Sequence, residues 1–140
     1  MQIDNIMQKI TKALNLDEES ILEIYKLESF DIESEVSSYE RLGVFLDGLI
    51  QLKRGASPKR DSATVELTNN LILKKLRIAL ELKEPEIEII FGLGEAELTK
   101  QQLSSLFRNQ KHKNFRLASD ELLIAFLDGL DEFYFVGEVE

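Results

Sequence analysis

The chain has 140 residues, 44% of them hydrophobic and 31% charged, with a formal net charge of −9. This composition suits a globular protein long enough to bury about two thirds of its unfolded surface, and it excludes global disorder. With no cysteine and a single histidine, disulfides, thiolate nucleophiles and Cys-based metal sites are excluded, and the acidic balance repels nucleic acid and anionic membranes at long range.

The opening stretch MQIDNIMQKITK lacks the basic-then-apolar pattern of a secretory signal, and no apolar run approaches the length needed to span a bilayer. The expected location is the cytoplasm. Ile3, Ile6, Met7, Ile10, Ala13 and Leu14 follow the 3,4 spacing of an amphipathic helix. A second helix is expected after Asp17, an N-cap residue followed by Glu18 and Glu19, whose charge suits the helix dipole. A third is expected from near Glu33, poorly capped. It leads into a helix carrying Leu42, Phe45, Leu46 and Leu49, which Gly55 would stop. The segment RGASPKRDSATVE, from Arg54 to Glu66, is rich in glycine, proline and serine and reads as a linker.

The pattern then restarts. Leu71, Ile72, Leu76, Ala79 and Leu80 form another apolar stripe, and Pro85 with Glu86 and Glu88 opens the next helix. Gly92 or Gly94 is placed at its end. Thr99–Gln102 reads T-K-Q-Q, a capping box for a helix through Leu103, Leu106 and Phe107. Ser119 caps the last helix, expected to continue through Phe133. No segment alternates with period two apart from the ambiguous YFVGEV near the end. The fold class is all-α.

The restart is a repeat in detail. Ile6 corresponds to Ile72, Ile10 to Leu76, Ala13 to Ala79, Ile24 to Ile90 and Tyr25 to Phe91, at a constant offset of 66 residues. The word FLDGL occurs at Phe45–Leu49 and again at Phe126–Leu130, where the offset has grown to 81. The reading is an internal duplication, with fifteen extra residues before the last helix of the second copy. It divides the chain into a helical unit over 1–53, a linker over 54–67, a second helical unit over 68–135 and an acidic tail over 136–140.

In the repeated word, Phe45 and Phe126 sit on the apolar face, while Asp47 and Asp128 fall behind it. Gly48 and Gly129 lie on its flank, about 120° from its centre at roughly 100° per residue. A mid-helix glycine costs about 1 kcal/mol relative to alanine. Its use in both copies points to a close backbone approach by a neighbouring element, with a ligand approach as the alternative. For the two aspartates the expectation is a solvated carboxylate or a cap on another helix. An acid/base pair is the alternative, though no nucleophile lies nearby.

These residues resemble a known family. NNLILKKLRIALELKEPEI followed by LTKQQLSSLFRNQKHKNFRLASDELLIAFLDGL is similar to the second repeat of the YehS-like bacterial proteins, and the first half, ending FLDGLIQLKRG, is similar more weakly. The resemblance implies two copies of one helical unit, with no activity, substrate or catalytic residue to carry over. One departure stands out. Relatives have a loop before FLDGL in the first repeat, whereas here Ser38-Tyr39-Glu40 runs almost directly into Leu42.

The stretch from Lys100 to Arg116 holds five basic residues and no acid, whereas seven acids and no base follow from Asp120 onward. Within the basic stretch, Arg108, Lys111, His112, Lys113, Asn114, Phe115 and Arg116 are the candidate partner contacts. Three readings stand: a surface loop whose Phe115 plugs the core, a cationic loop that pairs with the protein's own acidic helix or an acidic protein partner, and a nucleic-acid site stacking on Phe115. His112 alone supplies neither a general base with an orienting partner nor a metal site. FGLGE at Phe91–Glu95 lacks the preceding strand of a dinucleotide fingerprint. No catalytic residue, cofactor or metal is expected. The expected function is a protein-interaction or regulatory module, with weak nucleic-acid binding through the basic segment as the alternative.

Overall fold

The computed structural model describes residues 3–33, 35–55 and 67–139, the side chains of residues 3, 4 and 135–139 excepted. Among the described residues seven helices are found: α1 (Ile3–Ala13), α2 (Glu18–Leu27), α3 (Ser38–Arg54), α4 (Asn69–Leu80), α5 (Glu84–Leu93), α6 (Lys100–Leu106) and α7 (Asp120–Val139). There is no strand among the described residues, so the chain is all-α as expected.

Local chemistry sets most of the boundaries. Asp17 accepts from the Ser20 amide at 2.8 Å, opening α2, and Ser119 accepts from the Leu122 amide at 3.1 Å, opening α7. Thr99 and Gln102 form the reciprocal box that starts α6. Gly55 ends α3 with φ of 76°, the left-handed conformation that glycine adopts without strain. Pro85 sits one position inside the first residue of α5, where no intrahelical donor is needed, and the Glu86 carboxylate accepts from the Lys83 amide. Gly94 rather than Gly92 caps the end of α5.

The helix expected from near Glu33 does not form. After α2 the chain turns, with the Phe30 amide donating to Tyr25 O, and the Asp31 carboxylate accepts from the Glu33 amide. A side-chain bond of that kind competes with helix formation. Ile32 is exposed, so no apolar stripe anchors a helix here. Helix α3 instead starts at Ser38, with Ser37 as its cap. At the other end, α7 runs past Phe133 to Val139, taking in the whole of the ambiguous YFVGEV. Residues 56–66 of the expected linker and Glu140 of the acidic tail lie outside the described residues.

The chain folds as two compact units. One comprises Met1–Asn15 with Leu82–Glu140, the other Leu16–Glu81. They are drawn along other lines than the segments 1–53 and 68–135 read from the sequence. In the first unit α7 is central, with α1 and α5 packed on it. Ile6 and Ile10 of α1, Ile87, Ile90 and Phe91 of α5, and Leu123, Phe126, Leu127 and Leu130 of α7 are buried there. In the second unit α3 is central, with α2 and α4 packed on it. Its core holds Ile24 and Tyr25 of α2, Leu42, Phe45, Leu46 and Leu49 of α3, and Ile72, Leu73 and Leu76 of α4. Each unit therefore takes its first-type helix, α1 or α4, from the other half of the sequence.

The details of the two units run in parallel. Tyr25 meets Phe45 with ring centroids 6.0 Å apart, and Phe91 meets Phe126 at 5.1 Å. The four described non-glycine residues with positive φ are Asn15 and Glu81, at 52° and 53°, and Ser29 and Glu95, at 52° and 66°. Each pair is separated by the same 66 residues as the apolar stripes. In each case a helix has just ended and the chain must reverse its climb, which left-handed backbone achieves in one residue.

Candidate functional site

The first feature to locate is the FLDGL word. A Cβ placed on Gly48 would lie 2.3 Å from Ile24 O, and one on Gly129 would lie 1.8 Å from Ile90 O. Both glycines thus admit the backbone of the second-type helix, α2 or α5, against the central helix. Close packing is the role that the structure gives them. Gly94 does the same from the other side, since a Cβ there would lie 1.8 Å from Ala125 O. The sequence reading treated Gly94 only as a helix end.

Asp47 departs from the expected solvated carboxylate, whereas Asp128 is exposed as expected. Asp47 is 8% exposed rather than solvated. It accepts from Lys75 of α4, and the two side chains are mostly buried together. Asp128 is far more open and pairs with Lys9 of α1 at 2.7 Å. Both carboxylates hold the first-type helix on the central helix instead of capping a helix end. Lys9 and Lys75 share the 66-residue offset, a signal present in the sequence beyond the apolar positions. Lys12 adds a looser contact to Asp131 at 3.7 Å.

The basic loop between α6 and α7 is tied into a fixed shape by its own polar groups. The Asn109 side chain accepts from the Lys111 amide at 2.9 Å, and the His112 amide donates to Asn109 O. His112 Nδ1 accepts from the Asn114 amide at 3.0 Å, while its carbonyl accepts from the Phe115 amide. The Arg116 amide donates to Ser105 O, which returns the chain to α6. Arg108 reaches His112 Nε2 at 3.2 Å. His112 is thus a bracket inside the turn, its Nδ1 spent on backbone rather than turned toward a substrate.

The loop divides its residues by exposure. Phe115 and Arg108 are half-buried, whereas Lys111, His112, Lys113, Asn114 and Arg116 are exposed. Among the described residues Lys111 and Lys113 enter no ion pair. Leu117, in the same loop, is 70% exposed, the largest exposure of any large apolar side chain described. The contacts expected from the sequence end at Arg116, because they follow the basic run and Leu117 carries no charge. Ala118 is buried in its place.

No group of three or more His, Cys, Asp or Glu side chains that could hold a metal ion occurs among the described residues. No helix there is long and apolar enough to cross a membrane.

Comparison with known proteins adds a family. Residues 69–134 match the model of the family described as "Protein of unknown function (DUF1456)". The chain is 38% identical over 91 residues to the uncharacterized protein YehS of Escherichia coli (strain K12). That match covers 64% of this chain and 58% of the relative. No solved structure matches. Residues 69–134 thus form a YehS-like domain of unknown function.

Proposed function

We propose that this is a cytoplasmic helical binding module, without catalytic activity, that docks an acidic protein segment on the loop 108–117. One observation carries the reading. Exposed Lys111 and Lys113, with no ion pair among the described residues, share one loop with the exposed side chain of Leu117. A row of carboxylates with an apolar residue at one end is the ligand such a surface fits. Arg116 and Asn114 of the same loop are exposed as well. The loop's internal bonds favour a preformed contact, which lowers the ordering cost of binding.

Nucleic acid is the second reading, favoured by the five basic residues between Lys100 and Arg116. It has less support, because Phe115 is half-buried with its amide engaged in the turn. An exposed aromatic face is what base stacking requires.

The reading also takes the chain as an internal duplication joined by a linker over 54–67. The paired glycines, lysines, aspartates and positive-φ residues support it.

The test is capture from lysate on immobilised full chain, with wild type beside Lys111→Glu/Lys113→Glu and Leu117→Ser variants. Recovered material is scored for protein and nucleic acid at low and moderate salt. A protein held at moderate salt and lost with either variant is the expected result. Nucleic acid released by moderate salt, and indifferent to Leu117→Ser, would replace this reading with the second.

A further inference from the structure

We propose that Arg108 and His112 form a binding site for a phosphate group, presented by a phosphorylated residue of the acidic segment that docks on the loop 108–117. The site rests on that docking reading for the source of its phosphate. Its chemistry begins with a conflict at one imidazole ring. His112 Nδ1 lies 3.0 Å from the Asn114 amide nitrogen, and His112 Nε2 lies 3.2 Å from Arg108 Nη1. Amide and guanidinium are both donors, and a neutral imidazole offers only one acceptor nitrogen. The backbone of the turn fixes the amide hydrogen, so Nδ1 is the acceptor and the ring proton sits on Nε2. There it faces a second N–H group, and two donors converge with no acceptor between them.

Arg108 shows the same deficit a second time. Its Nε is buried with no hydrogen-bond partner among the described residues, which leaves the outer nitrogens to find the compensating acceptor. No acid lies between Lys100 and Arg116 to supply one from the adjoining chain. An oxyanion resolves the conflict by accepting from Arg108 Nη1 and His112 Nε2 at once. The neighbouring charge favours phosphate over carboxylate. Lys111 and Lys113 flank His112 in sequence, are exposed and enter no ion pair among the described residues. A phosphomonoester brings a charge of about −1.5 to −2 and three acceptor oxygens, so it can serve Arg108 and His112 and still meet a lysine. A carboxylate brings a single charge and two oxygens in one plane.

His112 is the only histidine, so its ring nitrogens give an unambiguous pair of signals in nitrogen NMR of the labelled full chain. With the ring neutral, the proton is expected on Nε2. Inorganic phosphate, then phosphoserine, should shift both signals saturably, and Arg108→Gln should weaken that binding about tenfold, the worth of one charged hydrogen bond. Acetate at matched ionic strength should bind about tenfold more weakly than phosphate. A proton on Nδ1 would overturn the proposal, because Arg108 then donates to Nε2 and no donor pair exists. Signals unmoved by phosphate would overturn it as well. Acetate binding equal to phosphate would assign the site to carboxylates instead, and a dinucleotide diester competing as well as phosphoserine would assign it to nucleic acid. Lysate capture that is lost with Lys111→Glu/Lys113→Glu but indifferent to Arg108→Gln would refute this site while the docking reading stands. Phosphate binding by a chain that captures no protein would refute the docking reading and the phosphorylated segment with it, leaving a site for free phosphate.

Discussion

Replacing Gly129 by alanine sets two effects of opposite sign against each other, and the geometry decides between them. In an open helix the change would stabilise by about 1 kcal/mol. Here the new Cβ would lie 1.8 Å from Ile90 O, where real Cβ contacts do not fall under 3.0 Å. Helices α5 and α7 must therefore part by about 1.2 Å at this point. The obstacle is backbone, which cannot rotate away as a side chain would. The parting loosens the Phe91–Phe126 ring contact and the packing of Ile87, Leu123 and Leu127 around it. Overpacking of this kind costs about 3 kcal/mol at the upper end of its usual range, so the net expectation is a loss of about 2 kcal/mol. Gly48→Ala meets Ile24 O at 2.3 Å and should lose about 1 kcal/mol by the same reasoning. Gly43→Ala, on the same helix as Gly48, meets nothing within 4 Å. It should gain up to about 1 kcal/mol. Urea unfolding followed by helical circular dichroism measures all three. At a slope near 2 kcal/mol per molar, Gly129→Ala should lower the midpoint by about 1 M. If Gly129→Ala and Gly43→Ala stabilise equally, the close approach of α5 to α7 is wrong.

The two lysine–aspartate pairs should respond unequally to disruption. Lys75→Met leaves the largely buried Asp47 carboxylate without its lysine and should cost about 2–3 kcal/mol. Lys9→Met releases a well-exposed Asp128 and should cost less than about 0.5 kcal/mol. Double-mutant cycles in urea measure the two couplings, and equal values would contradict this ranking. Alkaline pH supplies a further check. Burial raises the Tyr25 and Tyr134 hydroxyls above the ordinary value of 10.0, with the Glu86 carboxylate adding to the effect at Tyr134. The folded state thus keeps its proton where the unfolded chain has released it. Stability from these groups is complete below about pH 10 and falls as pH rises from there through the folded values. Midpoints measured from pH 8 to 11 should fall at the top of the range, and Tyr25→Phe/Tyr134→Phe should flatten that fall. An unchanged profile in the double variant would refute the assignment.

The all-α class, the caps at Asp17, Thr99 and Ser119, and the stop at Gly55 were legible in the sequence because each depends on residues within one turn of the boundary. The FLDGL glycines were legible for a different reason. A glycine within a helix carries a cost, and finding it twice implies a neighbour that excludes a side chain. The helix expected near Glu33 failed because its local bonds favoured a turn, a competition that apolar spacing does not register. In the loop, the cations were visible as a charge run, but the exposure of Leu117 and the engagement of His112 by backbone depend on how residues 108–117 turn.

What the sequence by itself determined was the set of helices and the apolar face of each, since propensity, capping and periodicity act over a few residues. Only the tertiary structure decided which faces meet. The stripes of α1 and α4 are so alike that either could cover an apolar central helix, and hydrophobic burial has no direction to choose between them. The choice rests on chain connection and backbone. Left-handed Asn15 and Glu81 lead the chain out of α1 and α4, and Lys9 and Lys75 find Asp128 and Asp47 on central helices from the other half of the sequence. Those pairings join residues 119 and 28 positions apart, a separation at which local patterning no longer specifies a partner.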